Sequence, residues 1–287
     1  MDGESRKTEI HISVRNVVEF VMGDGDNANR RGALPQNAMK EGGRIHRMIQ
    51  KRMGADYRAE VPLKYGYETD AYTIVVEGRA DGIFTGAGEI VEPSVTVDEI
   101  KGTYRELAKM KGAVPVHLAQ AKCYAYIYAK QKGLGSIRVH LTYCNMDTEE
   151  FRYFHSCYTS GELEEWFMGV MEQYRRWADF ETDWKKRRQK SAKKLQFPFA
   201  YREGQKDLVT YVYRTIYHGR KLFIEAPTGV GKTISTVFPA VKSMGEGRGD
   251  RIFYLTAKTI TRTVAEEAFA LLREQGLEFK TVMLTAK

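Results

Sequence analysis

The chain has 287 residues, 43% of them hydrophobic, and 45 Lys or Arg against 37 Asp or Glu give a formal charge of +8. That length suits one large domain, or one domain and part of another, and no run approaches the roughly 18 consecutive apolar residues of a membrane span. The opening "MDGESRKTEI" lacks the basic-then-apolar order of a secretory signal, so the expectation is a cytoplasmic protein without a membrane partner.

In chain order, the pattern predicts a helix near 14–22, a polar loop "GDGDNANRRG", and a helix over about 36–53. Strands are expected near 59–65, 72–78, 82–85 and 95–101, with Asp81 in "EGRADGIF" at a strand-to-strand turn between two glycines. The run 115–131, with Pro115 in its first turn, reads as a long helix. "SIRVHLTYCN" and "EEFRYFHSCY" read as a hairpin. A last helix over about 160–190 carries Trp166, Met171, Tyr174 and Trp177 on a helical period that marks them as core. Cys123, Cys144 and Cys157 are far apart, without a C-x-x-C pair, which argues against a disulfide framework or a zinc site and for reduced, mostly buried thiols.

The charge is concentrated. Residues 181–220 hold eleven Lys or Arg and four Asp or Glu, and "WKKRRQKSAKKLQ" reads as the basic end of a helix running into a linker over 181–197. Such a run is either a solvated connector or a track for nucleic-acid phosphates. Beyond it, a helix stopped by Gly219 precedes two strand–loop–helix units and one more strand start, which predicts a parallel α/β sheet.

Within that second part, "APTGVGKT" (Ala226, Pro227, Thr228, Gly229, Val230, Gly231, Lys232, Thr233) fits the phosphate-binding loop except that Ala226 replaces the first glycine. The glycines let backbone N–H groups turn around phosphates at a helix N-terminus. Lys232 is placed to reach the β- and γ-phosphates and Thr233 to ligate Mg2+. Upstream, Arg202-x-x-Gln205 offers an amide that can pair two-sided with an adenine edge. Together with "YLTAKT" these stretches resemble the opening of a superfamily 2 DNA helicase of the XPD/DinG branch, over about residues 196–287. The resemblance implies ATP as cofactor and single-stranded DNA as partner, with contacts through the loop that contains Lys258 and Thr259. The acidic motif, the second RecA-like lobe and its arginine finger would follow Lys287, as would the four cysteines of a [4Fe-4S] cluster. The chain reads as the front end of a longer helicase.

The first part carries its own chemistry. In "VDEIKGTYRE" the strand period of two places Glu99 and Lys101 side by side on one face. His46 falls on the second helix, while Gln120 and Tyr124 lie one turn apart on the long one. The order His, Asp, Glu-x-Lys, Gln-x-x-x-Tyr resembles the PD-(D/E)XK nucleases of the RecB-like exonuclease group, over about residues 10–180. The resemblance implies Mg2+ or Mn2+ held by Asp81, Glu99, the Ile100 carbonyl and His46, the nitrogen favouring Mn2+ over Ca2+. It gives Lys101 the role of orienting or deprotonating a water, and Gln120 and Tyr124 that of holding the DNA backbone or the lysine.

The expected architecture is therefore α/β, with a restriction-endonuclease-like PD-(D/E)XK core over 1–180, a basic linker over 181–197, and the truncated P-loop, RecA-like start of a helicase over 198–287. The expected function is an ATP-dependent DNA helicase that carries a metal-dependent DNA exonuclease for repair or processing. The alternative is a helicase whose nuclease-like domain is an inactive DNA clamp.

Overall fold

The computed structural model describes residues 7–23, 38–85, 93–227, 229–256 and 259–284, and the chain divides into two compact units, Met1–Ala178 and Asp179–Lys287. The protein is mixed α/β: the described residues form a mixed six-stranded sheet and seven α-helices. Among the described residues no helix is long and apolar enough to cross a membrane.

In the first unit the strands are β1 (Thr8–Ser13), β2 (Arg58–Glu68), β3 (Tyr72–Thr85), β4 (Val95–Thr103), β5 (Ser136–Asn145) and β6 (Phe151–Thr159). Their order is β1-β3-β4-β5-β6, with β2 also on β3; β1–β3 and β4–β5 are parallel and the other pairs antiparallel. The expected β5–β6 hairpin is present. The strand β1 escaped the sequence reading, although "TEIHIS" alternates.

Helices α1 (Val14–Met22), α2 (Ala38–Arg52) and α3 (Pro115–Lys132) lie close to where the pattern placed them. Ser13 caps α1 by accepting from the Asn16 N–H, and Val14, Val17 and Val18 form its buried stripe. α3 starts on Pro115 and stops at Gly133, whose φ of 65° is the left-handed C-cap. Ala119 through Ala129 are nearly all buried on α3, so it is a central helix and shows little amphipathicity. α4 (Ser160–Lys194) buries Leu163, Phe167, Val170, Met171, Tyr174 and Ala178 in this unit. Phe167 stacks on Tyr126 at 4.4 Å and meets Tyr65 edge-on at 5.3 Å; truncating it to Ala would cost about 3–5 kcal/mol. Trp177, expected in the core, is 38% exposed and packs on Phe20 instead, because the buried stripe turns through Tyr174 and Ala178.

The second unit holds the end of α4 with α5 (Gln205–Tyr217), α6 (Lys232–Gly245) and α7 (Thr259–Glu274). Two expectations are corrected here. The segment 181–197 is helical through Lys194, and its Ala192 and Leu195 are buried against Val209, Val241 and Leu272. Its cations are engaged too: Lys185 and Arg188 hold Asp250 at 3.2 and 2.9 Å, and Arg187 pairs with Glu278. This stretch is a packed helix end and not a free linker.

Among the described residues the expected parallel sheet is also not formed. Residues 220–227, 251–256 and 277–284 belong to no helix and no ladder, and Phe223, Phe253, Leu255, Val282 and Leu284 are between 78% and 93% exposed. A strand exists through bonds to a neighbour, and the alternating apolar pattern there does not supply one.

Candidate metal centre and phosphate loop

β2 runs along one edge of β3, with Glu68 opposite Thr73 and Arg58 opposite Ile83. β1 and β4 divide the other edge: β1 pairs with residues 72–77 and β4 with residues 82–85. Between them, at 78–81, β3 has no ladder partner on that side. The candidate site forms at this opening.

Asp81 stands in it. Its Oδ2 accepts the Ile100 N–H at 2.7 Å, tying β3 to β4, and its Oδ1 lies 3.4 Å from Nδ1 of His46 on α2. Asp81 is not in a turn, as the two flanking glycines suggested, but inside continuous β3. The ladder with β2 resumes on both sides of it, through Ala59–Gly82 and Val61–Ala80. The residue between those pairs on β2 is Glu60, whose φ of 53° is a strained conformation for a non-glycine residue within a strand. Gln50, one turn after His46 on α2, donates to the Asp81 carbonyl at 3.0 Å and to Glu60 Oε1 at 3.3 Å.

Glu99 and Lys101 project together from β4, with Nζ 2.7 Å from Oε1. Glu99 is 4% exposed, and its Oε2 is a buried atom without a partner among the described residues. Burial raises its carboxyl above the ordinary range and the Asp81 charge adds to this, against the opposing Lys101 ammonium. Burial lowers His46, but the bond and charge of Asp81 outweigh it, leaving the imidazole above its ordinary value.

Ile100 itself is fully buried with Ile45, Ile49 and Cys144, which seats α2 on the sheet. Gln120 and Tyr124 are both buried on α3; the Tyr124 hydroxyl lies against Gly78 at the opening, and burial pushes its pKa up. Gln120 Oε1 is a second buried oxygen without a partner among the described residues. Cys123 and Cys144 are buried and Cys157 is exposed.

One nitrogen and two carboxylate oxygens, from His46, Glu60 and Asp81, lie within 4.8 Å of one another, the spacing of a shared cation. Hard oxygens with one imidazole suit Mg2+ or Mn2+, and the orphaned Glu99 Oε2 beside Asp81 fits the same need for a positive partner. Glu60 and Gln50 were missed by sequence reading. Glu60 joins only because its backbone kinks opposite Asp81, for which "RAEVP" carries no signal.

In the second unit, α6 begins on Lys232, preceded by Gly231 at φ 73°. The Lys232 ammonium bonds the carbonyls of Ala226 and Pro227, each at 2.8 Å, and the Thr233 hydroxyl is 3.4 Å from that of Tyr254. Gln205 is buried and ties the loop down: its Oε1 accepts from Arg202 N at 3.1 Å and its Nε2 donates to Val230 O at 3.0 Å. The Arg202 guanidinium bonds the Gly229 carbonyl. Thr228 and Lys258 lie outside the described residues, and of Thr259 only its place at the start of α7 is described.

No family model matches the chain, and no curated protein matches it. Among solved structures, the crystal structure of SSO0001 aligns with a TM-score of 0.36 at 15% identity, covering 59% of this chain and 79% of that one. A likeness that slight does not bear on function.

Proposed function

We propose that residues 1–178 are a metal-dependent nuclease unit of the PD-(D/E)XK kind, and that residues 179–287 are an ATP-binding unit of the helicase kind, both serving one DNA-processing enzyme. The observation that carries the reading is Glu99: a buried carboxylate with one oxygen on Lys101 and the other unpartnered, within electrostatic reach of Asp81 and His46. An ion pair built only for stability satisfies its remaining lone pairs, whereas a metal or reaction site keeps one open.

His46, Asp81 and Glu99 would hold Mg2+ or Mn2+, with Glu60 as an added carboxylate. The bound ion would supply Lewis acidity to a scissile phosphate and lower the pKa of a water. Lys101 holds a proton donor beside that position and offsets negative charge building on the phosphate. Tyr124 fills the sheet opening from the α3 side and excludes water there. In the second unit, Lys232 and Thr233 would receive the nucleotide phosphates, while Arg202 and Gln205 hold the loop in shape. Support for that half is the loop itself, with a lysine as the first residue of a helix after a left-handed glycine.

The test is release of labelled nucleotides from single-stranded DNA by the whole chain with Mn2+ or Mg2+ and no ATP, against an EDTA control. Cutting that needs the metal and is lost in Asp81→Ala supports the nuclease. A chain that binds Mn2+ and DNA but never cuts is instead a clamp.

A further inference from the structure

The face of the sheet that carries Asp98 and His140 also carries a line of aromatic rings that the chemistry above does not use. Phe151 and Tyr153 on β6 lie parallel, 6.1 Å apart at 5°. Tyr153 stacks on His140 of β5 at 5.3 Å, and His140 meets Phe84 of β3 edge-on at 6.5 Å. Phe84 stacks on Tyr57, just before β2, at 5.7 Å. The ribbon crosses from the β6 edge of the sheet, over β5 and β4, to β3. Tyr153 is 54% exposed and its neighbour His155 is exposed, whereas Phe84, His140 and Phe151 are partly buried.

Two features show that the line is built. Tyr57 lies directly on Gly82, where any Cβ would collide with its ring, so the glycine after Asp81 makes room for the last ring. Asp98, buried under the ribbon, accepts from the Tyr57 hydroxyl at 3.0 Å and the Thr142 hydroxyl at 2.8 Å, and lies 3.4 Å from His140 Nδ1. The carboxylate thus anchors the last of the five rings by a hydrogen bond and lies close beneath a second.

Charge gives the occupant. The Arg52 guanidinium sits 6.0 Å from the centre of the Phe151 ring. Arg138 lies two residues before His140 on the same face of β5, and His155 is the register partner of His140 on β6. Their field is felt: after burial, His155 and Arg138 are what lower the His140 pKa. Rings flanked by cations form the surface that unpaired bases and phosphates take together. A duplex has no bases to offer it.

Resting on the nuclease reading above, we propose that this ribbon is the track for single-stranded nucleic acid: bases stack along Tyr153, His140 and Phe84, Arg52 and Arg138 take phosphates, and the strand is delivered at Tyr57 to the residue beside Asp81. The track sets the substrate class as unpaired strands and their direction of entry as from the β6 edge.

The experiment uses the whole chain in EDTA, so that nothing is cut, with fluorescein-labelled oligodeoxythymidylate and oligouridylate of equal length. Anisotropy gives affinity, and 5-iodouracil crosslinking with peptide mapping gives the site. Tyr153→Ala, an exposed position where loss of the ring leaves the core intact, should weaken binding about fivefold to a hundredfold, and Tyr153→Phe should restore it. Arg138→Gln should lower the salt slope by about 0.7. Crosslinks should fall on Tyr153, His140 or Phe84, and the stronger of the two probes tells DNA from RNA. Unchanged affinity in Tyr153→Ala with crosslinks confined to residues 179–287 overturns the track, as does equal binding of blunt duplex. A Tyr153→Ala change in sedimentation without a change in affinity makes the face a contact between copies and likewise overturns it. The two readings fail separately: a chain that binds through the ribbon but never cuts keeps the track and loses the nuclease, and one that cuts with Tyr153→Ala unaffected does the reverse.

Discussion

Nζ of Lys101 lies 2.7 Å from Oε1 of Glu99, two residues back on the same strand, and the lysine is a quarter exposed while the glutamate is buried. The ammonium can therefore face an incoming phosphate without leaving its partner. Lys101→Ala should slow metal-dependent cutting by about 10²–10⁴-fold, the range for a positioned proton-transfer group, while Mn2+ binding measured by calorimetry persists. Cutting at the wild-type rate in Lys101→Ala would remove the lysine from the chemistry.

Glu60 and Gln50 should matter for the metal although neither belongs to the motif. Glu60→Gln removes a charge from the three ligand atoms that share a 4.8 Å neighbourhood. Gln50→Ala frees both the Glu60 carboxylate and the Asp81 backbone it holds. Calorimetric titration with Mn2+ should show at least about tenfold weaker binding for Glu60→Gln and a smaller loss for Gln50→Ala, in the range of outer partners at metal sites. Wild-type affinity in Glu60→Gln would leave the site to His46, Asp81 and Glu99.

Asp98 should make stability depend on pH in an unusual direction. Burial pushes its carboxyl from 3.8 up to about 6, against the opposing bonds from Thr142 and Tyr57. A raised carboxyl means that the folded state keeps a proton which the unfolded chain has released. Its contribution is therefore present below about pH 4 and lost as pH rises through about 6, a change of about 3 kcal/mol. Denaturant unfolding in EDTA should show Asp98→Asn gaining on the wild type by that order between pH 4 and pH 7. A constant difference across that range would mean that the carboxyl ionises normally.

Lys232→Ala should weaken ATP binding about tenfold to a hundredfold, the worth of a hydrogen bond to a charged group. Gln205 uses both amide atoms on the loop, through Arg202 N and Val230 O. Gln205→Ala should therefore lower affinity for ATP and GTP alike, read by competition with a fluorescent nucleotide. A selective loss of ATP would instead make Gln205 the adenine reader.

What the sequence determined by itself is what a few neighbouring residues encode. The strand period put Glu99 beside Lys101, Pro115 marked the start of α3, and "GVGKT" set a glycine-rich loop with its lysine at a helix start. The tertiary structure decided everything that depends on which strand lies beside which. Glycines around Asp81 read as a turn, but β2 pairs on both sides and carries the strand through. Glu60 and Gln50 meet Asp81 only because β2 and α2 pack at the sheet opening. The basic end of α4 read as a solvated connector or a phosphate track, yet Asp250 and Glu278, more than sixty residues away, pair with three of its cations, Lys185, Arg187 and Arg188. The aromatic ribbon draws rings from β3, β5, β6 and the residue before β2, no two of its contacts sharing a local period except Phe151 with Tyr153. A period of two or of 3.6 is written within a short window, while strand register comes from long-range pairing that no single window contains.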